Sequence, residues 1–490
     1  MSNMSQNKNL GQNRVMPALA QLLEVENEEA LLNPSCPVTG IPVWTVVRNQ
    51  FFRLIMSDLL YVSQPLLSTA DRMPRARIAQ AALRSIAHNL AQPPRSAQVL
   101  IRATGVGLIE REGRSFNRLT DYFAGAAPGG AWSFEDLASW DWPALPRCCD
   151  VSYTTAAFAA IRLRTQLGIT AAHRALARQT VALAVSRAER LLDWTPGSER
   201  KNWLEQHAAR RLAALPLQRA TMRGWLRQVR PALFLVEEGC YGQMAAFNAA
   251  AREQGVLVAE FQHGAVTAGH DVYNVAPALA ASAAYRRGLP DVFLGYGSWW
   301  NAQFNLPLDK RVIGNPHRAA ALQTVATRQD GARRVLVLGD GRELQAHLDC
   351  CRALVARLPA GWEVLFRPHP EEQRAVLAMD NAVFSGFGLD RESDIYASLA
   401  QSEAVVAELS TGLFDGVGLA RRIFVWDTPK SRFGLPNHPF VRFSDVAALA
   451  TALQAPQEGD LAPEQCESIW ASDWRTRFTE FLAASGAGPR

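Results

Sequence analysis

A chain of 490 residues with 48% hydrophobic and 20% charged content is long enough for two or three packed domains and too apolar for a disordered tail. Its net charge of +5, from 51 Lys and Arg against 46 Asp and Glu, suits an anionic small molecule or an acidic membrane surface and is too small to indicate nucleic acid. No apolar run approaches the roughly 20 residues of a membrane-spanning helix, residues 1–30 lack a secretory pattern, and the seven cysteines form no metal or disulfide pattern, so a reduced cytoplasmic setting is expected.

Residues 1–90 read as a helical N-terminal extension. Leu19, Leu22 and Leu23, then Leu54, Leu59 and Leu60, follow three- and four-residue spacing, broken by Pro34, Pro37 and Pro42. From Gln98 short apolar strands take over, over 98–101, 131–134 and 151–153. Long Ala-, Leu- and Arg-rich helices follow over 175–192 and 203–229. The run 231–236 reads as a buried strand, followed by Glu237-Glu238-Gly239, a helix over 241–254 and a strand over 256–261, which together make a βαβ unit. Strands over 291–296 and 311–316 close the first half, and 317–332 read as a linker.

The alternation then restarts. Strands over 334–339, 363–366, 382–384, 404–408 and 423–426 alternate with helices over 343–358, 371–379, 395–400 and 412–419, and helices follow Leu461. Such alternation predicts an α/β chain with two Rossmann-type parallel sheets, over 91–316 and 333–460, and helical additions at 1–90 and 461–490. Two facing α/β halves create a cleft between them, where ligands bind.

In parallel sheets the working side chains lie just past the carboxyl ends of strands, and four such ends stand out. Glu237-Glu238-Gly239 sets two carboxylates on a turn; acids suit the start of a helix, and a carboxylate there also serves as a general base or nucleophile toward a sugar. Gln262-His263-Gly264 lets backbone approach a ligand and puts an imidazole at the cleft, with His270 and Tyr273 on the loop that follows. Arg367-Pro368-His369-Pro370 is a stiff loop whose guanidinium and imidazole suit a phosphate. Ser410-Thr411-Gly412 opens the helix expected over 412–419, as an ordinary N-cap or as an anion site of hydroxyls and free N–H groups. No D-x-D signature lies near a strand end, so no metal site is expected.

At these residues the chain resembles the bacterial GT-B-fold glycosyltransferases that use CMP-activated acidic sugars, the polysialyltransferases and lipooligosaccharide sialyltransferases. Their D/E-D/E-G, H-P and Ser/Thr-pair motifs are matched by Glu237-Glu238-Gly239, His369-Pro370 and Ser410-Thr411. The chain is also similar to capsule and surface-polysaccharide proteins with Q-H-G, P-D-x-x-L-x-x-G, G-N-P, R-P-H-P and S-T-G-L-F-D/E-G segments, here at 262–264, 290–297, 314–316, 367–370 and 410–416. Wall-teichoic-acid glycerophosphotransferases, which use CDP-glycerol, share an H-G loop, an R-P-H-P-like segment and a Ser-containing phosphate loop.

The resemblance implies a GT-B-like fold. Residues 91–316 would be the acceptor-side domain, 333–460 the nucleotide-binding domain, and 461–490 would pack back across the cleft. It implies a metal-independent transferase without a cofactor, its donor a CMP-activated sialic-acid-like sugar or Kdo and its acceptor a glycan or glycolipid. Its setting would be the cytoplasm or the inner face of the membrane, with no nucleic acid partner. Glu238 or Glu237 would be the base or nucleophile, and His263 would position donor or acceptor. His369, Pro370, Arg367, Ser410, Thr411 and Gly412 would hold the CMP phosphate and stabilise the charge of the leaving nucleotide. A CDP-glycerol-type polyol phosphotransferase, a sugar-nucleotide epimerase and a non-catalytic component of a polysaccharide assembly complex stay open as alternatives.

Overall fold

The computed structural model describes residues 18–60, 75–325, 333–455 and 461–486. The parts of the expected helical extension at 1–17 and 61–74, the end of the expected linker at 326–332, the end of the expected second domain at 456–460 and the end of the expected terminal helices at 487–490 lie outside the described residues.

Nine strands form before residue 313: β1 Val99–Thr104, β2 Leu108–Arg111, β3 Arg114–Asn117, β4 Ala131–Asp136, β5 Val151–Tyr153, β6 Leu233–Val236, β7 Leu257–Phe261, β8 Val292–Gly295 and β9 Asp309–Val312. β2 and β3 make a separate antiparallel hairpin, and the other seven make one parallel sheet in the order β5-β4-β1-β6-β7-β8-β9. All four residues of β6 are buried, as a strand covered on both faces requires. Phe234 and Val236 point with Leu100 and Val258 toward Met222, Trp225 and Phe247 of the flanking helices. Leu233 and Leu235 point the other way, with Val99, Ile101 and Ala259, onto Phe123 and Phe478. That alternation is the two-residue period of a strand.

Six strands make the second parallel sheet: β10 Arg333–Leu338, β11 Trp362–Arg367, β12 Gly388–Leu389, β13 Ala404–Ala407, β14 Arg422–Trp426 and β15 Val441–Phe443, in the order β12-β11-β10-β13-β14-β15. Both sheets start near their middle, run outward to one edge, then cross back and run to the other. That is the doubly wound Rossmann-type order, with a switch point between β1 and β6 in the first domain and between β10 and β13 in the second.

Carboxyl-end loops of the two sheets meet. Thr267 Oγ1, after β7, donates to Gly434 O, after β14, at 2.5 Å. A Cβ on Gly269 would overlap the Phe433 carbonyl oxygen, so glycine is needed for this close approach. Trp300 packs at a tilt of 51° against Phe414 with centroids 4.4 Å apart, and Trp470 Nε1 donates to Phe414 O at 2.7 Å. Tyr296 and Trp300 of the first domain thereby join Leu338, Leu413 and Val425 of the second in one core. The helix Trp474–Ala484 crosses back and buries Phe478 and Leu482 against the first sheet.

The N-terminal helix Val43–Leu59 is held by a buried ion pair. Arg48 donates to Glu26 at 2.7 and 2.8 Å and to the carbonyls of Asp271 and Asn274. Removing either charge would leave the other buried and uncompensated.

Three expected elements come out differently. Residues 382–384 form the 3-10 turn Asn381–Phe384, capped by the Asp380 side chain on Ala382 N, and the edge strand is β12 instead. The expected linker begins as a packed helix, Pro316–Leu322, because Arg318 is buried and donates to the carbonyls of Asp415 and Val417. The expected helix over 412–419 stops at Asp415.

Candidate active site

At the first switch point, Thr104 ends β1 and Glu237 follows β6. Thr104 N donates to Glu237 Oε2 at 2.6 Å and Thr104 Oγ1 to Oε1 at 3.0 Å, so the carboxylate is fixed by both neighbouring strands. Burial nevertheless pushes the Glu237 carboxyl up to about 7, because two hydrogen bonds do not offset the loss of water. Glu238 has φ +57, the left-handed region that a non-glycine residue occupies at a cost of about 1–2 kcal/mol. Burial raises its carboxyl too, and Arg53 and Arg102 pull it back down. A Cβ on Gly239 would lie 2.6 Å from Val236 and 2.9 Å from Pro290, which accounts for the glycine of the Glu-Glu-Gly turn.

Gln262 braces the next loop. It accepts from Tyr296 N at 2.8 Å and donates to Gly264 O at 2.8 Å. His263 is 18% exposed, and its Nδ1 sits 3.8 Å from Glu260 Oε1 with no hydrogen bond. Burial pushes its imidazole down to about 4, so it is neutral at pH 7. Glu260 is fully buried, accepts from Cys240 N at 2.7 Å and Tyr273 Oη at 2.5 Å, and is pushed up to about 7 by burial. His270 accepts from Val272 N at Nδ1 and meets the Tyr241 hydroxyl at Nε2, 3.5 Å away.

In the second domain, Gly341, after β10, presses on His369, after β11: an added Cβ would lie 2.8 Å from His369 Nδ1. His369 Nδ1 accepts from Glu371 N at 3.3 Å, so in the neutral ring the proton is on Nε2, ready to donate. Its backbone N–H donates to the buried Glu372 at 3.1 Å, and Pro368 and Pro370 flank it. Arg367 is turned onto the protein: Nη1 donates to Asp390 at 2.6 Å, Glu392 O at 3.0 Å and Ser398 Oγ at 3.1 Å. Its Nη1 thereby ties the end of β11 to the segments that carry Asp390, Glu392 and Ser398.

At the expected helix-terminus anion site one hydroxyl is engaged locally. The helix Gly412–Asp415 has four residues, too few for an appreciable dipole, and Ser410 Oγ already accepts from Gly412 N at 3.2 Å. Thr411 is the N-cap residue and makes no side-chain cap bond.

Three features were not visible in sequence order. Arg53, on the Val43–Leu59 helix, lies near enough to act on Glu238, Tyr241, His270 and Asp271. Between the domains, Tyr396 Oη donates to Asp415 at 3.1 Å, and Arg118 acts on Asp415, Tyr296 and His317. At the second switch point, the buried Lys430 ammonium sits against both Asp340 and Glu408 and is 3.5 Å from Glu343. Asp340, His347 and Glu408 have ligand atoms within 4.8 Å of one another, a cation-binding arrangement in which Lys430 supplies the positive charge. Burial works against charging Asp340, but Lys430 and His347 outweigh it and bring its carboxyl down to about 2. The signal available was that Lys430 is one of only four lysines in an Arg-dominated chain.

The structure thus gathers Glu237, Glu238 and His263 on the carboxyl edge of the first sheet. His369, Pro370, Arg367, Ser410, Thr411 and Gly412 are gathered on that of the second. A cavity of about 1190 Å³ elsewhere in the first domain, lined by Arg84, His88, Arg114, Trp142 and Cys148, holds none of them.

No protein-family model and no curated protein matches the chain. Solved structures similar to it include the S. aureus MnaA–UDP co-structure, at 9% identity and TM-score 0.44, covering 80% of this chain and 99% of that one. The UDP-GlcNAc 2-epimerase from Methanocaldococcus jannaschii is 8% identical with TM-score 0.43, covering 79% and 99%. The wall teichoic acid polymerase TagF, soaked with CDPG, is 10% identical with TM-score 0.39, covering 84% and 93%. Likenesses this low assign no activity. The GT-B-like architecture rests on the two doubly wound parallel sheets, their meeting carboxyl-end loops and the returning helix. Among the described residues no helix is long and apolar enough to cross a membrane.

Proposed function

We propose that this chain is a transferase that moves a group from a cytidine-nucleotide-activated donor onto a hydroxyl of a surface-glycan or polyol acceptor. The observation that carries it is Glu237 at the first switch point, buried, fixed by Thr104 and pushed up to about 7. A base with that pKa is available in ionised form at neutral pH and still strong enough to take a hydroxyl proton. Each oxygen keeps a second lone pair for the substrate, and Glu238 and Arg53 shape the charge around it. On the acidic-sugar reading, the acceptor oxygen gives its proton to Glu237 and bonds the anomeric carbon while the bond to the CMP phosphate breaks. His369 Nε2–H donates to the phosphate as negative charge develops there.

A second reading is favoured by His263. Its imidazole lies at the carboxyl end of β7 with Glu260 Oε1 3.8 Å behind it; burial weakens it as a base, and an ionised Glu260 would have to stabilise the imidazolium as a polyol hydroxyl attacks the outer phosphorus of a CDP-polyol donor, with CMP as the leaving group. Incubation with CMP-sialic acid, CMP-Kdo, CDP-glycerol and UDP-sugars, following nucleotide release with and without acceptor, tests both. Glu237→Gln abolishes transfer on the first reading and His263→Ala on the second. Failure of every cytidine donor to bind overturns the proposal.

A further inference from the structure

Two helices of the first domain leave an apolar surface in water. Along Arg75–Ala91, Leu83, Ile86 and Leu90 share one face and are 67%, 45% and 77% exposed, while Ala81 and Ser85 on the opposite face are buried. On Thr155–Gly168, which packs beside it, Leu163 and Leu167 repeat the four-residue spacing and are 59% and 82% exposed. Single exposed leucines are ordinary, but five large aliphatic side chains on two adjoining helices are not.

The charge on these helices points to the partner. Neither contains Asp or Glu, and together they carry Arg75, Arg77, Arg84, Arg162 and Arg164, in a chain whose bases and acids otherwise nearly balance. Arg77 pairs with Asp141 and Arg84 lies over Trp142. Arg162 and Arg164 are exposed and form no salt bridge among the described residues. A second copy of the chain would bring like charge against like charge. An apolar stripe on helices that carry guanidinium groups and no carboxylate of their own, the neighbouring Asp141 being paired with Arg77, fits lipid tails below a layer of anionic headgroups. We propose that this two-helix face docks the protein on an anionic lipid bilayer. The inference goes beyond the donor reading and holds whichever activated donor is used.

The test is flotation of the purified full chain with vesicles of phosphatidylcholine alone or mixed with phosphatidylglycerol, alongside sedimentation velocity and cytidine-nucleotide binding. The chain is expected to float with the anionic vesicles, less so in high salt, and to stay behind with phosphatidylcholine. Replacing Leu83→Gln, Leu90→Gln and Leu167→Gln together should weaken partition about tenfold or more, and Arg162→Gln with Arg164→Gln should remove the preference for anionic lipid. All five positions are exposed, so melting temperature and nucleotide binding should stay unchanged. Wild-type protein that does not float or that ignores headgroup charge overturns the proposal, as does a leucine variant that floats like wild type. A dimer that the leucine variant dissociates would give the face to a second copy and equally overturn it. A chain that floats but binds no nucleotide would sink the donor reading alone.

Discussion

Glu237→Gln should remove activity and, at alkaline pH, raise stability. A carboxyl moved by burial from 4.5 to about 7 costs about 3 kcal/mol when it is ionised in the folded protein. The sign follows from the raised pKa: the folded state holds the proton more tightly, so its advantage is full below pH 4.5 and is lost as pH rises through about 7. Glutamine is isosteric. Its carbonyl can accept from Thr104 N–H, and the Thr104 hydroxyl can turn to accept from its amide, so little is lost besides the charge. Denaturant midpoints of the two proteins should therefore nearly coincide at pH 5 and separate at pH 8, with the variant more stable by up to about 3 kcal/mol. The wild-type rate with a cytidine donor should climb through pH 7 to a plateau. A variant equally destabilised at both pH values would refute the burial argument, and an unchanged pH-rate profile would refute the role as base.

Lys430→Met leaves Asp340 and Glu408 buried without their cation and should cost about 3–5 kcal/mol in urea unfolding; combining it with Asp340→Asn and Glu408→Gln should restore most of that. Because Asp340 is held down to about 2, its contribution is full above about pH 4 and fades as pH falls toward 2, an acid-unfolding limb that Asp340→Asn should flatten. Glu238→Gly relieves a left-handed backbone and should raise the melting temperature slightly while turnover falls, measured on the same preparation. Phe478→Ala opens the first sheet's core and should cost about 3–5 kcal/mol, seen as increased hydrogen exchange in β1 and β6.

Much of the architecture was legible because parallel strands covered on both faces are continuous apolar runs: β6, β10 and β13 each read that way within a residue or two. The hairpin β2–β3 was not legible, because it is short and largely polar and owes its form to neighbours, and the polar edge strand β9 was read two residues late. At 382–384 an apolar triplet misled, since the local Asp380 cap competes with any ladder. The same division holds at the candidate site. Glu237 and His263 could be found from their place after a strand, whereas Thr104 reaches Glu237, Arg53 reaches Glu238 and Lys430 reaches Asp340 across 133, 185 and 90 positions of the chain. Spacing also could not show that Arg367 spends hydrogen bonds on Asp390, Glu392 and Ser398, and Ser410 one on Gly412.

The returning helix has a consequence for synthesis on the ribosome. Phe478 and Leu482 belong to the core of a sheet whose strands end at Val312, so the face formed by Val99, Ile101 and Leu235 is covered only in part, by Phe123 and Ala127, while more than a hundred further residues are made. The nascent N-terminal half therefore emerges with a partly open hydrophobic flank, and a chain released early, even with the whole second sheet complete, keeps that flank exposed to chaperones and to other nascent chains. Final stability of the first domain is withheld until translation has passed residue 484.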